Sequence, residues 1–140
     1  MNTAKNIGEY FGTLQATLIK TWREHLKTNK YSKHMALDDF YDDIPKLLDS
    51  LIEEYIGVHG EVKDYKNIYD AEGVDARDYL NDMREFLMDG RKQFFKDDTE
   101  LCSDVDAILS LIDQTLYKIE ELVEGYVSLS DYLMESLMED

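Results

Sequence analysis

Apolar residues recur along this chain at steps of three and four. Ile7, Phe11, Leu14, Leu18, Trp22 and Leu26 draw one stripe over roughly residues 3–28, the spacing of a helix with a single buried face. Thr28-Asn29-Lys30 breaks the pattern, and Ser32 is placed to N-cap a second helix. There Leu37, Tyr41, Ile44, Leu48, Leu51, Ile52 and Tyr55 stay in phase on both sides of Pro45. One helix is therefore expected, kinked near Tyr41–Pro45 by the missing backbone donor. Gly57 and Gly60 follow as stops. Residues 58–73 have weak periodicity and are long for a bundle connection; they read as a crossover with a short helix around Val62–Tyr69. Asp75 can cap a third helix with Leu80, Met83, Leu87 and Phe94 inward, which Gly90 bends or ends. Asp97-Asp98-Thr99-Glu100 is an acidic capping cluster. It precedes a fourth stripe at Leu101, Val105, Ile108, Ile112, Leu116, Ile119 and Val123, closed by Gly125. A short fifth helix is expected from Ser128 or Ser130. Four long helices with one long connection in the middle predict an all-α, four-helix bundle with a crossover between helices 2 and 3.

Composition narrows this further. A chain of 140 residues with one proline and seven glycines suits one helical domain with one core. The formal net charge of −16 argues against nucleic acid and anionic membrane surfaces as partners, because both need clustered Lys and Arg. It suits cations or a basic protein. Cys102 is the only cysteine, which excludes a disulfide framework and a cysteine-based zinc site within one chain and favours a reducing, cytoplasmic compartment. The opening MNTAKNIGEYFGT has no apolar run of signal-peptide type, and no run approaches the length of a membrane span.

The stretch SKHMALDDFYDDIPKLLDSLIEE is where candidate chemistry gathers. Advancing 100° per residue from His34 puts Asp38 at about 40°, Asp49 at about 60° and Glu53 at about 100°. The apolar positions of that helix centre near 300°, so the four polar residues share a flank about 100° from the core stripe. They are either a solvated acidic face or a set of metal ligands. Asp49 lies 15 residues beyond His34, roughly 22 Å along a helix axis, whereas metal–ligand distances are near 2 Å. One chain cannot bring both ends to one ion. A second copy running antiparallel about a twofold axis can.

The order His34, Asp38, Asp49, Glu53, with His25 and Tyr31 upstream, resembles the Dps-type mini-ferritins. The segment HLKTNKYSKHMALDDFYDDIPKLLDSLIEEYIG looks especially like phage-encoded ferritin-like proteins. The resemblance covers roughly residues 22–57, and more loosely DAILSLIDQTLYKIEEL. It implies a ferritin-like subunit that binds iron at a twofold interface. Ferrous iron would be oxidised there by peroxide or oxygen and stored in a shell of as many as twelve subunits. His25 would ligate from one subunit and Asp49 and Glu53 from the other, with His34 and Asp38 bound directly or through water. Trp22 and Tyr31 would lie near the site. Only Lys5 is basic in the N-terminal ten residues, so the lysine-rich tail of DNA-binding members is missing and no DNA compaction is expected. None of the histidines has Glu three residues before it, so the Glu-x-x-His pair of an intrachain di-iron centre is not expected either.

Plainer roles stand beside these. Asp39, Asp42, Asp43 and Glu54 read as a solvated face, His59 as a loop residue and Cys102 as a buried structural thiol. Trp22 reads as core or interface packing, and the tyrosines at 117, 126 and 132 as helix-packing groups. Two further functions remain open: an acidic helical-bundle interaction or structural protein of phage type with no active metal site, and a dimer holding structural zinc or manganese.

Overall fold

A computed structural model describes residues 2–120 of the chain, and the described residues form four α-helices and no strand. Helix α1 runs Ile7–Lys27, α2 Tyr31–His59, α3 Ala76–Gly90 and α4 Thr99–Glu120, with a π-helical turn at Arg91–Phe95 directly after α3. The fifth helix, the Gly125 stop, Tyr126 and Tyr132 lie outside the described residues.

The helix starts are set by side chains that satisfy first-turn N–H groups. Asn6 accepts from the Glu9 N–H, Asp75 from the Asp78 N–H and Asp98 from the Leu101 N–H. Ser32 does not cap α2. The helix begins one residue earlier, with Lys30 at the cap and no side-chain bond there, while the Thr28 hydroxyl accepts from the Lys30 N–H. At the other end Gly57 stays helical, and Gly60, at φ +92°, makes the stop. Helix α2 continues through Pro45 as one element.

Named contacts fix the directions. His59 and Asp98 approach at one end of the α2–α4 pair, and Asp39 and Lys118 at the other, so these helices are antiparallel. Arg84 to Asp113 and Arg91 to Asp106 show the same for α3 and α4. The Tyr10 hydroxyl donates to the Leu87 carbonyl, and Lys20 stands over the Tyr79 ring, so α3 is antiparallel to α1. Helices α1 and α4 therefore run one way and α2 and α3 the other, and only a long crossover can join α2 to α3. The expected bundle with one crossover is the observed one.

The crossover itself departs from expectation. Residues 60–71 contain no helix. Two of their N–H groups bond to α1: the Lys66 N–H donates to the Gly8 carbonyl and the Ile68 N–H to the Thr13 hydroxyl. Val62 is buried in the core.

The α1 stripe also divides. Phe11 and Leu14 are buried, but Trp22 is 47% exposed and Leu26 67%. Each step of four residues turns 40° past a full circle, so 14, 18, 22 and 26 walk off the core face. The core face continues instead through Thr17, Thr21 and Glu24, all buried. The two threonine hydroxyls are satisfied by helix carbonyls of Leu14 and Thr17. Tyr117 is likewise exposed among the described residues.

Candidate functional site

The link Thr28-Asn29-Lys30 is so short that the end of α1 faces the first turn of α2. His25 and His34 meet there in a reciprocal clasp. His25 Nδ1 lies 3.0 Å from the His34 carbonyl, and His34 Nδ1 lies 3.1 Å from the His25 carbonyl. A carbonyl only accepts, so each Nδ1 carries the proton. The rings stack with centroids 3.8 Å apart. Both rings are thereby fixed in orientation and tautomer, and each neutral imidazole keeps its Nε2 lone pair for another partner. His25 is buried, while His34 is half-buried.

Tyr41 completes this end. It meets His25 edge-on at 5.1 Å and lies 6.2 Å from Trp22. A hydrogen bond to the half-buried Asp38 carboxylate raises the Tyr41 phenol above its ordinary pKa. Tyr31 opens α2 and is half-buried. The structure thus brings His25, Asp38 and Trp22 against Tyr41, with His34 stacked on His25; the sequence position of Tyr41 marks it only as part of the apolar stripe.

Asp49 and Glu53 are elsewhere. Both are exposed, one turn apart, on an apolar groove of about 400 Å³ between α1 and α2 whose lining includes Leu18, Pro45, Ile52 and Ile56. Among the described residues, no three His, Cys, Asp or Glu side chains lie close enough to hold a metal ion within one chain.

Two expectations about the plainer residues change. His59 is the last residue of α2, its ring tilted against Tyr55 with centroids 4.7 Å apart, not a loop residue. Glu54 is half-buried and not part of a fully solvated face. Its Oε1 and the Oδ2 of Asp104 on α4 are sealed from water. Burial first, then the Asp104 carboxylate and a hydrogen bond to it, raise the Glu54 pKa. A proton shared between the two carboxyls satisfies both. Glu54 lies on the flank of α2 opposite His34, and nothing local in the sequence shows that α4 covers that flank. Cys102 is buried, as expected, with Sγ 3.7 Å from the Lys96 carbonyl.

Fold and site together define an all-helical bundle with one crossover and a paired-histidine corner between its first two helices. The chain belongs to the family described as "Family of unknown function (DUF5856)", which matches residues 25–119. It is also similar to the "Uncharacterized 14.6 kDa protein in mobD-ri intergenic region" of Enterobacteria phage T4, 35% identical over 52 residues, 37% of this chain and 41% of that protein. The chain therefore spans less than half of that relative. No solved structure matches.

These findings correct the resemblance to Dps-type mini-ferritins and to phage-encoded ferritin-like proteins: the family shown is DUF5856. Four polar residues in register on one acidic helix are too few to define a family, since acidic residues populate helix flanks for solubility alone, and a shared bundle architecture does not carry chemistry with it. No helix among the described residues is long and apolar enough to cross a membrane.

Proposed function

We propose that this chain binds a transition-metal ion, iron in the first instance, between two antiparallel copies. The observation that carries the reading is the His25–His34 clasp. Metal-binding histidines commonly donate the far ring N–H to a carbonyl or carboxylate, which fixes the tautomer and aims the other nitrogen. Here both rings are held that way. Imidazole nitrogen with the carboxylates of Asp38, Asp49 and Glu53 is a donor set that accepts ferrous iron and tolerates ferric iron. Because His34 and Asp49 are separated by roughly 22 Å along α2, the reading takes the nitrogen donors from one copy and Asp49 and Glu53 from the other. In its fullest form the reading has iron as substrate: each ferrous ion gives one electron to dioxygen or peroxide, and an oligomeric shell holds the ferric product.

The test is complementation. His34→Ala and Asp49→Ala should each lose bound iron in anaerobic ferrous titrations. A random mixture of the two pairs one good nitrogen end with one good carboxylate end in its hybrid dimers. It should regain about a quarter of the wild-type sites, as twofold pairing requires. Wild-type iron binding by either variant alone, or a mixture as empty as its parents, would sink the reading. Aerobic loading with elemental analysis then separates turnover of iron from a resident zinc or manganese ion.

A further inference from the structure

Two features on the outer flank of α1 and α2 stay uncovered among the described residues. One is a projection: Trp22 and Leu26, exposed beside the histidine corner and backed by Tyr41. The other is a recess: the groove lined by Leu18, Pro45, Ile52 and Ile56, with Asp49 and Glu53 beside it. Ile56 is itself 39% exposed.

The operation that pairs the histidine corner with the carboxylates also pairs these two features. A twofold axis that brings His34 and Asp38 against the partner's Asp49 and Glu53 passes near the middle of α2, around residues 43–44. Pro45–Ile56 then lies on one side of that axis, and Tyr41, with Trp22 packed against it, lies on the other. Trp22 of each copy is carried over the groove of the other, and the contact is made twice.

We infer that two copies of this chain dimerise without metal, with Trp22 of each seated in the Leu18–Pro45–Ile52–Ile56 groove of its partner. The inference rests on the antiparallel pairing of the proposed metal site. It adds that the indole, not the ion, holds the copies together. A large amphipathic ring entering an apolar recess, with charged groups at the rim, is the usual makeup of an interface anchor.

Trp22 is the chain's single tryptophan, so its emission reports the contact directly. In excess chelator, wild-type protein is expected to sediment as a dimer at micromolar concentration, with emission shifting to the blue as monomer becomes dimer. Trp22→Ala should weaken the dimer by at least about tenfold with the helical circular dichroism intact, since the side chain is half in solvent. Ile56→Asp, on the other side of the contact, should weaken it equally and abolish the blue shift. A monomer in chelator that dimerises only with iron would overturn this inference and leave the metal reading standing. A chelated dimer that Trp22→Ala does not weaken would overturn it too. A Trp22-dependent dimer that takes up no metal would support it and remove the metal reading.

Discussion

Glu54 and Asp104 face each other between α2 and α4 with one oxygen of each sealed from water. Asp98 and Glu100 add negative charge to the same place, and His59 stands 4.0 Å from Asp98. Carboxylates so placed cannot both ionise cheaply, so Glu54 keeps its proton to higher pH than in the unfolded chain, where a glutamate titrates at about 4.3. A raised carboxyl adds stability that is fully present below the unfolded value and is lost as pH rises through the folded one. Glu54→Gln keeps a donor for Asp104 and has no proton to lose. Melting temperatures of the two proteins should therefore coincide near about pH 4, and the variant should gain on the wild type toward about pH 8. A difference that stays constant across that range would show that Glu54 does not carry the shared proton. The pair was hidden at the level of sequence because an acidic residue on a helix flank looks the same whether water or another helix covers it. The histidine pair was half visible: position placed His34 on a flank and His25 near a helix end, but only the short link reveals that each ring donates to the other residue's carbonyl.

At the scale of elements, the crossover is the part that had to be fitted to the rest. A Cβ on Gly12 would collide with the Lys66 backbone nitrogen, and one on Gly8 would stand 2.6 Å from the Lys63 carbonyl oxygen. The two glycines, one turn apart on α1, leave a bare strip along which the crossover backbone lies. Lys20 hooks its far end through the Ala71 and Val74 carbonyls, and the Tyr69 hydroxyl donates to Asp82. Burial, then that bond, push the Tyr69 phenol up to about 12. Gly12→Ala gains helix propensity but must displace backbone, so it should lower unfolding free energy by about 1–3 kcal/mol in urea titrations. Gly57→Ala, with nothing within 4 Å and an ordinary helical position, should raise it by about 0.5–1 kcal/mol. If both glycines respond alike, the close approach of the crossover is not what Gly12 serves. This also explains what could be read in advance. The four helices announce themselves through local period and caps, which depend on neighbours three and four residues away. The crossover bonds to residues far off in sequence, so weak periodicity is its only local signal, and Val62–Tyr69 holds no helix where a short one is expected. Apolarity misled in α1 for a related reason: the stripe drifted from the core face to the outer flank, and the threonines and Glu24 that replaced it there do not look like core.

At the scale of the molecule, charge and apolar contact pull in opposite directions. Each copy carries a formal charge of −16, and several of its cations are already spent within the chain, Lys20 and Lys27 on Glu24, Arg84 on Asp113, Arg91 on Asp106 and Lys118 on Asp39. Two such copies repel over distances longer than any single contact. Salt shortens that reach to about 10 Å at 0.1 M, while the seating of Trp22 in an apolar groove depends on salt only weakly. The chelated dimer should therefore tighten, by roughly severalfold, as ionic strength rises from about 0.02 M to about 0.3 M. The metal ion feels the same field with the opposite sign. It is drawn in by the acidic surface, so its affinity should fall over the same range. Sedimentation equilibrium in chelator and calorimetric titration with ferrous iron, run across one salt series, read the two slopes separately. A dimer that loosens with salt would mean that ion pairs hold the copies together, and the apolar seat for Trp22 would be the wrong account of the interface. Metal affinity that ignores salt would place the ion away from the acidic flank of α2.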